Sequence, residues 1–217
     1  MPFPSPDTFP SLTLYPGEDK LPAPHEVIVF PLTVYAAPTG TRYPTVDAAE
    51  GTFDPAWVKL GTQGARNYDD GGVTATHQQT TATFTGAAAT APRKAFRTAE
   101  GFTLGFSLVD LSPAQYALQL DSATITTIAA SRGVAGEQNF QVLRGVNVRQ
   151  FALLARGQSA VDNTLNLQIE APTVFQSADP APVFQKGGPA MLAVEYTALE
   201  VTAGVFVTVR EQTAVAQ

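Results

Sequence analysis

Two histidines, His25 and His77, are the first side chains in this chain that could act as a general base near neutral pH. His25 sits among prolines and His77 within a run of Thr and Gln, and no Ser and Asp constellation of the triad kind can be picked out around either. Both read as packed or surface residues. The segment Arg156-Gly157-Gln158-Ser159-Ala160 comes close to a serine nucleophile elbow but departs from G-x-S-x-G at its last position. Asp69-Asp70-Gly71-Gly72 offers carboxylates to a cation, yet the spaced ligands and closing Glu of a calcium loop are missing, so it reads as an acidic, Gly-rich turn. Lys186-Gly187-Gly188 reverses the order of Gly and Lys that a phosphate loop needs, and no G-x-G-x-x-G occurs. The expectation is a protein that is not an enzyme, with no catalytic residue, metal ligand or cofactor.

Composition narrows the partners. The 13 Lys and Arg against 19 Asp and Glu give a net charge of −6. Phosphate backbones are gripped by cations with release of counterions, so this balance argues against tight nucleic-acid binding and suits a surface that repels DNA. Arg93, Lys94 and Arg97 are the one basic cluster. It reads as a solvated turn guarding a strand end, or as an ion-pairing site for an acidic neighbouring subunit. Charged residues make up 15% of the chain, against about 25% in ordinary domains, and a Thr-rich, low-charge surface favours strand pairing and subunit contact. There is no Cys, which excludes disulfides and thiolate chemistry. No basic-then-apolar leader opens the chain and no apolar run approaches the ~20 residues of a membrane span, so a soluble, cytoplasmically made protein is expected.

The elements that would carry these residues are strands. In Phe102-Thr103-Leu104-Gly105-Phe106-Ser107-Leu108, the apolar side chains alternate with Thr, Gly and Ser, the period of a half-buried strand. Further strand-like segments are Glu26 to Tyr35, Val73 to Thr85, Ala95 to Asp110, Ala123 to Ala129, Phe140 to Leu154, Thr164 to Glu170, Ala190 to Leu199 and Gly204 to Arg210. Seven prolines mark residues 1–24 as an extended arm. Residues 36–72 lose periodicity around Trp57-Val58-Lys59-Leu60-Gly61, which predicts a long, contact-making loop. Ser112 as N-cap, Pro113 in the first turn and an apolar stripe of Tyr116, Leu120 and Ala117 predict one short helix. Together these predict a mainly β protein: one β-sandwich or partly open barrel over residues 25–210, with one flanking α-helix, a long inter-strand loop and a short tail at 211–217.

Trp57-Val58-Lys59-Leu60-Gly61 followed by a Gly-containing loop, then the strand ending Gly101 to Asp110 and a short helix, resembles the major tail tube proteins of long, non-contractile phage tails. Phe151-Ala152-Leu153-Leu154-Ala155-Arg156-Gly157 and Met191 to Leu199 are similar to the paired closing strands of that family, and the likeness covers roughly residues 26 to 210. It implies a structural virion subunit, assembled in the host cytoplasm as hexameric rings that stack into a tube. Tape-measure protein and then DNA pass through such a tube, and tail terminator and baseplate or distal tail proteins close its ends. Family members often carry Glu where Asp110 stands, and the Pro-rich arm is a second departure. Other readings are a tail terminator, a contractile-tail tube protein, or a carbohydrate-binding β-sandwich.

On this reading Trp57, Leu60, Gly61, Arg66, Tyr68, Asp69 and Asp70 of the loop, with Arg93, Lys94 and Arg97, are the candidate interface residues between subunits and rings. Ser112, Pro113, Tyr116 and Leu120 are expected to seat the helix on the sandwich. Thr74, Thr76, Gln78, Thr80, Thr103 and Ser107 are the candidate lumen lining, and the acidic balance predicts a negative lumen. Replacing Trp57 by Ala is expected to shorten or abolish tubes and leave a folded subunit.

Overall fold

A computed structural model describes residues 31–85, 87, 90–120, 125–142, 145–159, 164–184, 186–202 and 204–214. The predicted arm and His25 lie outside the described residues.

The described residues form ten strands and one α-helix in the order β1 (Thr33–Pro38), β2 (Val58–Lys59), β3 (Thr74–Phe84), β4 (Lys94–Leu108), α1 (Pro113–Gln119), β5 (Ile125–Ile128), β6 (Glu137–Phe140), β7 (Phe151–Gln158), β8 (Asn166–Gln176), β9 (Leu192–Ala198) and β10 (Thr208–Glu211). Eight strands make one antiparallel sheet, seven of them in the order β2-β1-β7-β8-β9-β4-β3 and β10 beside β8, while β5 and β6 form a separate hairpin. β8 has two different neighbours on one edge: β10 pairs with Leu167 to Glu170, and β9 with Val174 to Gln176. The sheet divides there.

That division lets the sheet curl around its own apolar face. Val34 and Ala36 of β1, Leu153 and Ala155 of β7, Val194 and Tyr196 of β9, and Leu104, Phe106 and Leu108 of β4 belong to a single buried cluster. Three strands lie between β1 and β4 in the sheet, yet Tyr68 touches both: its hydroxyl accepts the Val34 N–H at 3.0 Å and its ring lies 4.6 Å from that of Phe106. Each fully buried Leu or Phe in such a core contributes roughly 1.5–3 kcal/mol. The mainly β, sandwich-like expectation holds, and the sheet is not closed into a barrel.

Several boundaries differ from the periodicity. β1 runs on to Pro38, because β7 pairs with it along its whole length. Residues 36–72 are not structureless: besides the end of β1 they hold two 3-10 turns, Glu50–Thr52 and Gly64–Asn67, and strand β2. Phe140 to Leu154 is not one strand; the described residues between β6 and β7 form none, and Val142, Val146 and Val148 are exposed. Their alternation has no sheet to pack on. β8 extends beyond Glu170 to Gln176, taking Pro172 at a register shift opposite β7, where a missing donor is tolerated.

Candidate assembly surface

Loop residues 39–72 fold back as cover rather than reaching outward. The Trp57 ring N–H donates to the Arg42 carbonyl at 3.0 Å and its ring lies 5.1 Å from Tyr43, over Tyr35, Ala37, Ala152 and Leu154 on the face of the sheet opposite the main core. Leu60 and Tyr68 plug the main core itself, and Trp57, Leu60 and Tyr68 are all at least nine-tenths buried. As contacts to a neighbouring ring these three are corrected: hydrophobic burial inside the subunit already uses them. Gly61 is buried too, with φ +77°, and donates its N–H to the Gln115 side chain at 2.9 Å. Arg66 and Asp70 are exposed and Asp69 is partly so. Asp69 to Gly72 is the acidic turn expected, closed by the Gly72 N–H on the Asp69 carbonyl at 3.0 Å.

The helix begins with Pro113 in its first turn, but Ser112 makes no side-chain cap. Its N–H instead donates to Asp110 Oδ1 at 3.0 Å, while Asp110 Oδ2 accepts the Thr62 N–H at 2.8 Å and the Thr62 hydroxyl. Partial burial opposes ionisation of Asp110, yet the hydrogen bonds from Thr62 and Ser112 outweigh it and hold the carboxyl below its usual range. Ala117 and Leu120 are buried, and Tyr116 packs at right angles on Phe140 at 5.7 Å. Gln115 and Gln119 are also buried, which periodicity did not indicate: Gln115 clamps Lys59 and Gly61, and Gln119 accepts from the Tyr196 hydroxyl.

The β3/β4 hairpin runs out beyond the core. β3 and β4 pair from Thr74↔Gly105 to Phe84↔Lys94, whereas β9 supports β4 only from Thr103 to Leu108. Beyond Gly101 the hairpin is a two-stranded ribbon, exposed on both faces at nearly every residue. Directly opposed residues share a face. Thr74, Thr76, Gln78 and Thr80 therefore lie with Ala99, Gly101, Thr103 and Gly105, and the same face continues onto Ser107 and onto Glu195 and Thr197 of β9. The structure brings the six predicted lumen residues onto one surface, but only the four of β3 are exposed: Ser107 is partly buried, and Thr103 is buried between Thr76 and Thr197.

A β-bulge divides this ribbon. Between Thr80↔Ala99 and Thr81↔Arg97 the residue Thr98 is left over, and its hydroxyl donates to the Thr80 carbonyl at 3.1 Å. The extra residue reverses the parity of β4 toward the tip. Arg97 turns to the face of His77 and Glu100, where Glu100 accepts from His77 at 2.7 Å and from Arg97 at 3.1 Å, and the His77 bond first holds the Glu100 carboxyl below its usual range. Phe96 turns to the polar face beside Phe84, and the two rings are 48% and 59% exposed. Arg93 and Lys94 stand at the same tip, exposed.

A basic residue the sequence reading did not single out, Arg156, is nine-tenths buried under residues 46–53. Its Nη2 donates to the Val46 and Ala48 carbonyls at 2.8 and 2.6 Å, and the guanidinium lies 5.0 Å from the Phe53 ring centroid. It ties the covering loop to β7. Among the described residues no three His, Asp or Glu side chains converge as a metal set. No protein-family model matches the chain, and no curated protein sequence matches it.

Proposed function

We propose that this chain is a structural virion protein, the major tail tube subunit of a long phage tail, assembling through its own copies into stacked hexameric rings. The observation that carries the reading is the projecting β3/β4 hairpin. An isolated two-stranded ribbon is marginal in water, and β3 presents a long edge without a strand partner among the described residues. Pairing with the next copy consumes that edge, and repetition of one heterologous contact around an axis closes a ring. The hairpin's Thr and Gln face then lines the lumen, offering hydroxyls and amides that hydrate DNA or tape-measure protein without binding either. The net charge of −6 supports a lumen that does not hold phosphate.

Negative-stain electron microscopy of the purified full chain tests the reading. Rings or hollow tubes are expected. A dispersed monomer over the concentration range that assembles tail tubes overturns it, and glycan binding by that monomer would replace it with the carbohydrate-binding reading.

A further inference from the structure

The hairpin tip has unusual chemistry for a solvated turn in an acidic protein. Phe84 and Phe96 sit diagonally on one face, largely exposed, and Arg93 and Lys94 flank them. Among the described residues neither cation is paired with a carboxylate, whereas Arg97 is neutralised by Glu100 on the opposite face. An apolar pair with adjacent unpaired cations calls for an acidic concave partner.

Such a surface exists at the other end of the same hairpin. An open cleft of about 370 Å³ lies on the polar face of β3, β4 and β9, bounded by Asp69 and Glu195 and floored by Gly72, Gly105 and Ser107. Gly105 carries no side chain on this face, which leaves its backbone open to a flat ring, and the site is not crowded: the nearest atom to an added Cβ would be the Val194 carbonyl oxygen at an ordinary 3.7 Å. Among the described residues no cation pairs with Asp69, Asp70 or Glu195. Tip and cleft are ten strand positions apart, roughly 30 Å, so a chain cannot satisfy its own cleft.

We infer that the aromatic, cationic hairpin tip of one copy docks into the acidic, glycine-floored cleft at the hairpin base of a second copy. The partner is this chain itself, and the match rests on complementary charge: Arg93 and Lys94 against Asp69 and Glu195, with Phe84 and Phe96 on the glycines. The inference deepens the tube reading and rests on it, because it names the surfaces through which successive copies meet; the docked tip covers the Thr74 and Ser107 end of the polar face and leaves Thr76, Gln78 and Thr80 to line the lumen.

The test uses the absence of native Cys. The full chain carrying Phe96→Cys and Ser107→Cys is oxidised gently and run on a non-reducing gel, with the single-Cys chains as controls. A ladder of disulfide-linked oligomers from the double variant alone is expected. In parallel, Arg93→Glu with Lys94→Glu, and separately Asp69→Lys with Glu195→Lys, are each expected to weaken self-association at least about tenfold by sedimentation, with recovery when all four are combined. Tubes that persist in both reversals without a ladder overturn this contact and leave the tube reading standing. A wild-type chain that stays monomeric at every concentration overturns both.

Discussion

The Tyr68 hydroxyl accepts the Val34 N–H at 3.0 Å and donates to the Leu60 carbonyl at 2.8 Å, so one phenol closes the gap between the first strand and the loop that covers it. Burial pushes its ionisation up to about 12, against a smaller opposing effect of the Val34 amide. Tyr68→Phe keeps the ring on Phe106 and leaves a buried amide and a buried carbonyl without that partner. We expect a loss of about 1–3 kcal/mol in urea unfolding, and an unchanged midpoint would show that water replaces the hydroxyl.

Trp57→Ala is expected to destabilise the isolated subunit rather than spare it. The ring covers Tyr35, Leu154 and Ala152, and removing a buried aromatic side chain typically costs about 3–5 kcal/mol. Thermal unfolding of the monomer should register this before any tube is formed. A variant with native stability but no tubes would return Trp57 to the role of a contact between rings.

Gly64 occupies φ +65°, and a Cβ there would meet Thr33 Cγ2 at 2.5 Å. Gly64→Ala therefore combines left-handed strain of roughly 1–2 kcal/mol with a clash against β1. Stability should fall by at least that strain, whereas Gly133→Ala, at φ +79° with nothing near its Cβ, should show the strain alone. Equal losses at the two sites would mean that Thr33 moves aside freely.

Asp110 joins Thr62 of the loop to the start of α1, and its carboxyl is held below the usual range in the folded state. A depressed folded pKa gives stability that is complete above the unfolded value of about 3.9 and disappears as pH falls through the folded value. The stability difference between wild type and Asp110→Asn should be constant from pH 7 to 5 and shrink below pH 4. A difference that does not change with pH would assign the effect to geometry instead of charge.

Much of the architecture was legible in the residues. The alternation from Phe102 to Leu108 places Leu104, Phe106 and Leu108 in the core and Thr103, Gly105 and Ser107 on the other face, as the ladder with β9 has them. Pro113 marks the helix start. Period-two patterning dictates such faces locally, because adjacent side chains on a strand must point apart. Composition likewise restricted the chemistry through zero Cys, two His and an acidic balance.

Tertiary structure alone decided where the pattern stops being local. Trp57 and Tyr68 look like exposed anchors in an aperiodic loop, and they are buried because a curled sheet left two gaps that only residues distant in sequence could fill. Thr98 reads as one more strand residue, yet as a bulge it sends Phe96 to the polar face and Arg97 to Glu100. That outcome depends on which β3 residue β4 meets. Register is set by the whole ladder, and a one-residue offset exchanges the two faces of a strand, so no window of sequence contains it.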